Sequence, residues 1–168
     1  DWKFIDKLQQ RGQIVESKKF LTDAVVVVVS KTGKDKVKSF EDLKKKDVAL
    51  VIADKKAPIG SYAIQGLSSL GIWNTLLINN TIKAQPATLN QVAVMLQKDE
   101  ADAGFIFRST AGLYGLDFVE TMGTDLTGEI IFSLGVIKGG NEQVAKDFLA
   151  FLIEHADEFT KYGWQLYK

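Results

Sequence analysis

Two spacings of apolar residues run through the chain, and each predicts a different element. Short continuous apolar runs predict buried strands, whereas apolar residues three or four positions apart predict amphipathic helices. The run from Ala24 to Ser30 is almost purely β-branched, which favours a strand buried on both faces. The other predicted strands are Val48–Ile52, Leu76–Ile82 with a turn at Asn79-Asn80, Ala103–Phe107, Phe118–Thr121 and Ile130–Ile137.

Helical spacing begins at the first residues of the chain. Trp2, Ile5 and Leu8 predict a helix over residues 1–11, which Gly12 ends. Residues 13–23 are interpreted as a connecting loop. A capping box at Ser39-Phe40-Glu41-Asp42 predicts a short helix to about Lys46. Thr88 is predicted to cap a helix over Leu89–Lys98, and Asn141 one over Glu142–Glu154 with Val144, Phe148, Phe151 and Leu152 facing inward. The remaining predicted helices are one that ends at Gly71 with a further turn over 73–77, a short one from Ser109, and Asp157–Tyr162.

Strands that alternate with helices predict an α/β fold with a largely parallel sheet. In such sheets ligands lie beyond the carboxyl ends of the strands, where helix N-termini converge. Three segments have this form: Val48–Ile52 leads into a helix at Ile59, Ile78–Ile82 leads into one at Thr88, and Ala103–Phe107 leads into one at Ser109. The first N–H groups of a helix have no partner within it and the helix dipole adds partial positive charge there, so these ends suit a small anion.

Composition excludes several classes of function. With 21 basic and 21 acidic residues the formal net charge is zero, which argues against a nucleic-acid partner. The absence of cysteine excludes a disulfide scaffold, a thiolate zinc site and a cysteine nucleophile. His155 is the only histidine, and no nucleophile elbow, Walker loop or dinucleotide-binding glycine pattern occurs, so neither a metal site nor an enzyme is predicted. The longest apolar run, Ala24–Val29, is too short to span a bilayer.

An ordered set of motifs resembles one known family. The motifs are the Ala24–Ser30 strand, Ser39-Phe40-Glu41-Asp42-Leu43, Pro58-Ile59-Gly60-Ser61-Tyr62-Ala63 followed by Leu70-Gly71-Ile72-Trp73, the run Glu100–Ser109, and Lys161-Tyr162-Gly163-Trp164. In this order and spacing they resemble the periplasmic molybdate- and tungstate-binding proteins of ABC transporters, in the type II solute-binding superfamily. The resemblance covers essentially the whole chain.

The resemblance implies an α/β fold of the type II periplasmic-binding-protein class, with one complete lobe and part of a second joined by two hinge strands. Residues 1–29 would be part of the first lobe and a hinge strand, 30–129 the complete second lobe, and 130–168 the return hinge strand and C-terminal helices of the first lobe. The family's N-terminal segment, with serine loops that donate to the anion, is not in this sequence. We expect a processed or truncated chain, a lobe completed by another chain through self-association, or a reduced lobe.

The implied function is capture of a tetrahedral oxyanion, molybdate or tungstate, for an ABC importer. The implied partners are the oxyanion and the membrane permease, with no cofactor, no nucleic acid and no enzymatic activity. The implied location is periplasmic or extracytoplasmic. The alternatives there are a free protein and one that is anchored to the membrane through the missing N-terminus. A second hypothesis is that the lobe serves as a ligand-free interaction or regulatory module.

The resemblance also implies the anion-binding residues. The main-chain N–H of Ile59 contacts the oxyanion, and a second main-chain N–H comes from Leu89. Phe107 stands where many members have a tyrosine whose hydroxyl completes the set, and Ser61 or Tyr62 could replace that hydroxyl. The expected anion-binding residues are Ile59, Gly60, Ser61, Thr88, Leu89 and Phe107, with molybdenum or tungsten present only within the oxyanion.

Overall fold

The computed structural model describes residues 2–168, which divide into two compact units. The larger unit is Ala24–Gly128, and the smaller unit combines the residues up to Asp23 with Glu129–Lys168. The predicted boundaries differ mainly in residues 24–29, which lie in the larger unit because Val25–Val29 pairs within its sheet. The assignment of the two units to a complete and a partial lobe stays a prediction.

The elements of the described chain are helices, strands and two short 3-10 helices. The helices are α1 Trp2–Gln10, α2 Pro58–Ser69, α3 Trp73–Ile78, α4 Leu89–Gln97, α5 Arg108–Tyr114, α6 Thr124–Thr127, α7 Glu142–Glu154 and α8 Ala156–Thr160. The strands are β1 Ile14–Asp23, β2 Val25–Val29, β3 Leu50–Val51, β4 Ile82–Ala84, β5 Ala103–Phe107, β6 Phe118–Thr121, β7 Ile130–Ile137 and β8 Gln165–Leu166. The 3-10 helices are Gly33–Asp35 and Phe40–Lys44.

The described part of the larger unit is built on a five-stranded sheet in the order β4-β3-β5-β2-β6. β3 is parallel to β4 and β5, whereas β2 is antiparallel to β5 and β6. The predicted parallel arrangement therefore holds for β3, β4 and β5 only. The valines of β2 are 0 to 3% exposed, which confirms the predicted burial of this strand on both faces.

The smaller unit contains an antiparallel sheet in the order β7-β1-β8, and its central strand corrects the prediction of a loop over residues 13–23. β1 pairs with β7 with shifts in register between Ile14 and Glu16 and between Lys19 and Leu21. These bulges break the alternation of apolar and polar residues that identifies a strand in a sequence. The predicted helix over residues 1–11 is α1, ended by Gly12 at φ 64°; Asp1 lies outside the described residues.

The segment predicted as a strand over 76–82 is helix, turn and a later strand. α3 continues to Ile78, and the N–H groups of Asn80 and Thr81 then donate to the carbonyls of Leu77 and Leu76. Asn80 adopts the left-handed conformation, with φ 52°, that ends many helices. β4 begins only at Ile82, so the prediction is wrong because an apolar helix end was interpreted as a strand.

α7 has the predicted bounds and the predicted cap, but its inward face is different. The N–H of Val144 donates to the side chain of Asn141 at 3.3 Å, as a capping residue requires. Leu149 is buried, whereas Val144 and Phe148 are each 60% exposed and Phe151 is 53% exposed. Apolar residues lie around most of the circumference of this helix. The sequence therefore does not show which side of the helix packs against the sheet.

The predicted capping box at Ser39 is confirmed. Asp42 Oδ2 accepts the N–H groups of Ser39 at 3.1 Å and Lys38 at 2.8 Å, and Asp42 Oδ1 lies 2.8 Å from Lys45 Nζ. Hydrogen bonding to Lys45, and then to the Lys38 backbone, lowers the pKa of Asp42 to about 2.

This capping box predicts a pH-dependent stability. A carboxyl whose pKa is lower in the folded than in the unfolded state stabilises the fold above its unfolded pKa, here 3.8, and this contribution is lost as the pH falls through about 2. We expect the free energy of unfolding to fall less steeply across this window in Asp42→Asn than in the wild type. Urea unfolding at several acidic pH values measures this, and Asp35→Asn, an exposed position outside the box, is the matched control. Equal slopes in Asp42→Asn and wild type would contradict the expectation.

Candidate functional site

Three helices of the larger unit begin at one edge of its sheet. β3, β4 and β5 are parallel neighbours, so their carboxyl ends lie together. Each of these strands leads into a helix: β3 into α2, β4 into α4 and β5 into α5. The N–H of Asp54 donates to the carbonyl of Pro86 at 2.8 Å, which joins the β3–α2 loop to the β4–α4 loop. The sequence therefore places the N-termini of α2, α4 and α5 at this edge.

The first turn of α2 presents backbone donors. Ala57 is its N-cap, with no side-chain cap, and Pro58 has no N–H to offer. The N–H of Ser61 donates to the carbonyl of Ala57 at 3.0 Å. In the described residues, this leaves the N–H groups of Ile59 and Gly60 without a backbone acceptor.

Gly60 fixes this first turn against the preceding loop. A Cβ on Gly60 would lie 2.3 Å from the carbonyl oxygens of both Ala53 and Asp54. Such distances are too short for any side chain, so only glycine permits this approach. The Asp54 carboxylate accepts the N–H of Lys56 at 2.8 Å within the same loop. The N-terminus of α2 is therefore held by close packing of backbone on backbone.

The first turn of α4 is held by a capping box. The N–H of Gln91 donates to the Thr88 hydroxyl at 3.3 Å, and the N–H of Thr88 donates to Gln91 Oε1 at 3.1 Å. The Thr88 hydroxyl also lies 3.2 Å from Gln91 Oε1. Thr88 thus organises the helix start, and the N–H groups of Leu89 and Asn90 have no backbone acceptor in the described chain.

The start of α5 is different. Phe107 is the N-cap residue and brings no polar side-chain atom, and the N–H of Arg108 donates to the carbonyl of Ala24 at 2.9 Å. The Phe107 ring packs edge-on against the Tyr62 ring, with the ring centroids 6.5 Å apart and the planes at 64°. Burial raises the pKa of Tyr62. Phe107 therefore contributes packing to this edge of the sheet.

The structure brings all six sequence-predicted site residues to this edge, in different roles. On α2, Ile59 and Gly60 have main-chain N–H groups without a backbone acceptor in the described chain, and Ser61 follows them with an exposed side chain. On α4, Thr88 is the capping residue and Leu89 has a further N–H of this kind. Phe107 occupies the N-cap position of α5 and packs against Tyr62. Sequence reasoning missed the Asn90 N–H, the Asp54–Pro86 hydrogen bond, and Arg108 at the first position of α5. The Asn90 N–H could have been predicted, because Asn90 is the second residue after the predicted cap Thr88. No sequence pattern predicts the hydrogen bond between Asp54 and Pro86.

Fixed, neutral N–H groups at helix N-termini can bind an anion without a cationic side chain. In the described residues, no group of three or more histidine, cysteine or acidic side chains could hold a metal ion. Between residues 2 and 168, each helix is too short or too polar to cross a bilayer.

A family model matches almost the whole chain. The model for bacterial extracellular solute-binding proteins matches residues 1–165. The chain belongs to this family. The predicted membership of this class of proteins is confirmed.

Two curated relatives of this family member are longer than the chain itself. It is 26% identical over 166 residues to YvgL of Bacillus subtilis, provisionally named an ABC transporter substrate-binding lipoprotein, and covers 62% of that protein. It is 28% identical over 122 residues to the molybdate-binding protein ModA of Escherichia coli. That match takes in 70% of this chain and 46% of ModA, whereas the YvgL match takes in 94% of this chain. The chain thus spans less than two thirds of either relative.

Solved structures confirm the fold class. The periplasmic molybdate-binding protein of Azotobacter vinelandii superposes with a TM-score of 0.80 at 18% identity, over 100% of this chain and 76% of that one. The structure of PEB3 with bound L-phospholactate superposes with a TM-score of 0.70 at 19% identity, over 96% of this chain and 74% of PEB3. At these identities the comparison establishes the fold, which is that of type II periplasmic binding proteins.

Proposed function

We propose that this solute-binding protein captures a tetrahedral oxyanion, molybdate or tungstate, for an ABC importer. The observation that carries the proposal is the arrangement of Ile59, Gly60 and Leu89, whose main-chain N–H groups lie in the first turns of two helices at one sheet edge, with no backbone acceptor in the described chain. The 28% identity to a molybdate-binding protein supports the choice of ligand.

The chemistry of the site suits a small dianion. Each N–H that donates to a charged oxygen contributes on the order of 1.5–3 kcal/mol, and the dipoles of α2 and α4 add to the attraction. Because these donors are neutral and fixed, selectivity follows from the size of the anion and the directions of its oxygens. No step requires a proton acceptor or a nucleophile, so the anion is bound and released unchanged and the protein is not an enzyme.

The six site residues have distinct roles in this proposal. Ile59, Gly60 and Leu89 donate main-chain N–H groups, and Thr88 holds the α4 N-terminus in position. Ser61 lies at the exposed side of the first turn of α2, and Phe107 forms an apolar wall. The partners are the oxyanion and a membrane permease, the location is extracytoplasmic, and neither a cofactor nor a nucleic acid takes part.

Calorimetric titration with molybdate, tungstate, sulfate and phosphate tests the function. We expect heat of binding for molybdate and tungstate that changes little between low salt and about 0.5 M sodium chloride, because hydrogen bonds to a desolvated anion are poorly screened. Sulfate and phosphate should bind more weakly. A flat titration with every oxyanion at millimolar concentration would contradict the proposal.

A ligand-free interaction module is the second candidate, and Phe107 favours it, because the N-cap of α5 brings no hydroxyl to the sheet edge. This candidate predicts a stable oligomer in light scattering and a melting temperature that no oxyanion changes. Monomers that tungstate stabilises would exclude it.

A further inference from the structure

Asp54 lies in the β3–α2 loop, and its main chain joins the starts of two helices. Its N–H donates to the carbonyl of Pro86 at 2.8 Å, and Pro86 is two residues before Thr88, the N-cap of α4. Its carbonyl accepts the N–H of Ala57, the N-cap of α2, at 2.9 Å. One residue is therefore hydrogen-bonded both to the cap of α2 and to the loop that leads into α4.

The Asp54–Pro86 hydrogen bond continues the pairing of β3 with β4 past the ends of both strands. The N–H of Ile52 donates to the carbonyl of Ala84 at 3.2 Å, and the bond from Asp54 to Pro86 lies two residues further along each segment. Two-residue steps of this kind are the spacing of a sheet ladder. The two loops therefore leave the sheet as hydrogen-bonded neighbours.

The Asp54 side chain holds this junction in its shape. Asp54 Oδ1 accepts the N–H of Lys56 at 2.8 Å, which closes a turn of the kind that aspartate forms with the backbone two residues on. The Asp54 carbonyl also lies close against α2, since a Cβ on Gly60 would be 2.3 Å from its oxygen. The turn and this close packing together fix the position of Asp54 against the first turn of α2.

A residue that only formed a turn would hold only its own loop. Asp54 differs because its partners lead directly into the two helix starts that are proposed to bind the anion. Ile59 is two residues after Ala57, and Leu89 is three residues after Pro86. A movement of Asp54 relative to Pro86 would therefore change the spacing between the N–H groups of Ile59 and Leu89.

We propose that Asp54 is a positioning residue that sets the spacing between the donors of α2 and α4, and thereby the size of anion that the site selects. The inference rests on the proposed function, because it concerns the selectivity of the same site. Donors held at one spacing match the oxygens of one size of tetrahedral anion and leave hydrogen bonds to another size unmade or strained. Molybdate and tungstate are larger than sulfate, so a fixed spacing can favour them over sulfate.

The ratio of tungstate affinity to sulfate affinity in Asp54→Ala tests the proposal. Alanine removes the acceptor of the Lys56 N–H and loosens the junction, and donors that can move adapt to the smaller anion. We expect the ratio to fall by about 3- to 10-fold, the effect of one lost hydrogen bond. Asp54→Asn keeps an acceptor oxygen and should keep the wild-type ratio. Lys55→Ala, at an exposed position of the same loop, is the matched control.

Amide NMR signals of the protein without anion give a readout that does not depend on binding. Asp54→Ala should shift the signals of Ala87 and Leu89, on the α4 side of the junction, whereas Lys55→Ala should leave them in place. Thermal unfolding of each variant shows that the fold is kept.

A role of Asp54 in the turn alone would lower the melting temperature and weaken the binding of both anions equally. An unchanged affinity ratio with an unchanged Leu89 signal in Asp54→Ala would therefore overturn this inference and leave the proposed function intact. A wild-type protein that binds no oxyanion would contradict the proposed function itself.

Discussion

Gly60→Ala should abolish oxyanion binding and lower the stability of the larger unit. The new methyl group would be 2.3 Å from the carbonyl oxygens of Ala53 and Asp54, and because these are backbone atoms no side-chain rotation relieves the clash. The first turn of α2 must move away from the β3–α2 loop, and overpacking of this kind typically costs about 1–3 kcal/mol. The same movement displaces the N–H groups of Ile59 and residue 60 from the position in which they are proposed to bind the anion.

Gly112→Ala is the matched control for this substitution. Gly112 is also a helical glycine of the larger unit, but its Cβ would meet nothing within 4 Å. Alanine there should leave binding unchanged and stabilise the protein by about 0.5–1 kcal/mol, because it restricts the unfolded chain and favours helix. Urea unfolding and tungstate titration of both variants measure the difference. Wild-type stability and affinity in Gly60→Ala would show that the close approach of backbone to backbone is not required.

Asp102→Ala should destabilise the larger unit without changing its affinity for the anion. Asp102 Oδ2 accepts a hydrogen bond from Lys36 Nζ at 2.9 Å and from the N–H of Ala49 at 2.8 Å, and the Asp102 side chain is 7% exposed. The Asp102 carbonyl also accepts the N–H of Ser30 at 2.9 Å. This aspartate therefore holds the segments before β3 and after β2 to the start of β5.

We expect Asp102→Ala to lower the free energy of unfolding by about 2–3 kcal/mol, since it leaves the half-buried Ala49 N–H and the Lys36 ammonium without their acceptor. Lys36 is partly exposed and can turn to water, which keeps the loss below that of a fully buried ion pair. Glu100→Gln, at an exposed position two residues away, is the control. Because Asp102 precedes β5 and the proposed site follows it, tungstate affinity at low temperature should be unchanged. An equal loss of affinity in Asp102→Ala and Gly60→Ala would contradict this separation of stability from binding.

Local signals in the sequence were sufficient for much of the larger unit. The valines of β2 predicted a strand buried on both faces, and Thr88 with Gln91 forms the cap expected at the start of α4. The helix that follows Pro58 begins at that residue. These features depend on side chains and backbone within a few residues of each other, which is what periodicity and capping rules describe.

Features that depend on distant partners could not be predicted. β1 is a strand because β7 pairs with it, more than a hundred positions further along the chain, as in the pair Ile14 and Ile137. The close approach of Gly60 to Ala53 and the contact of Tyr62 with Phe107 depend in the same way on how α2 packs. The apolar residues of α7 cover more than one face, so only the structure shows that Leu149 is the buried one.

Titration of the ¹⁵N-labelled chain with tungstate, followed by amide NMR signals, tests the central claim most directly. N–H groups that donate to an anion change their chemical shift as it binds. The account predicts the largest shifts at Ile59, Gly60 and Leu89, with Tyr62 and Asn90 beside them and saturation at a common dissociation constant. Signals of these residues that stay unchanged while others move, or a spectrum that millimolar tungstate leaves unaltered, would contradict it.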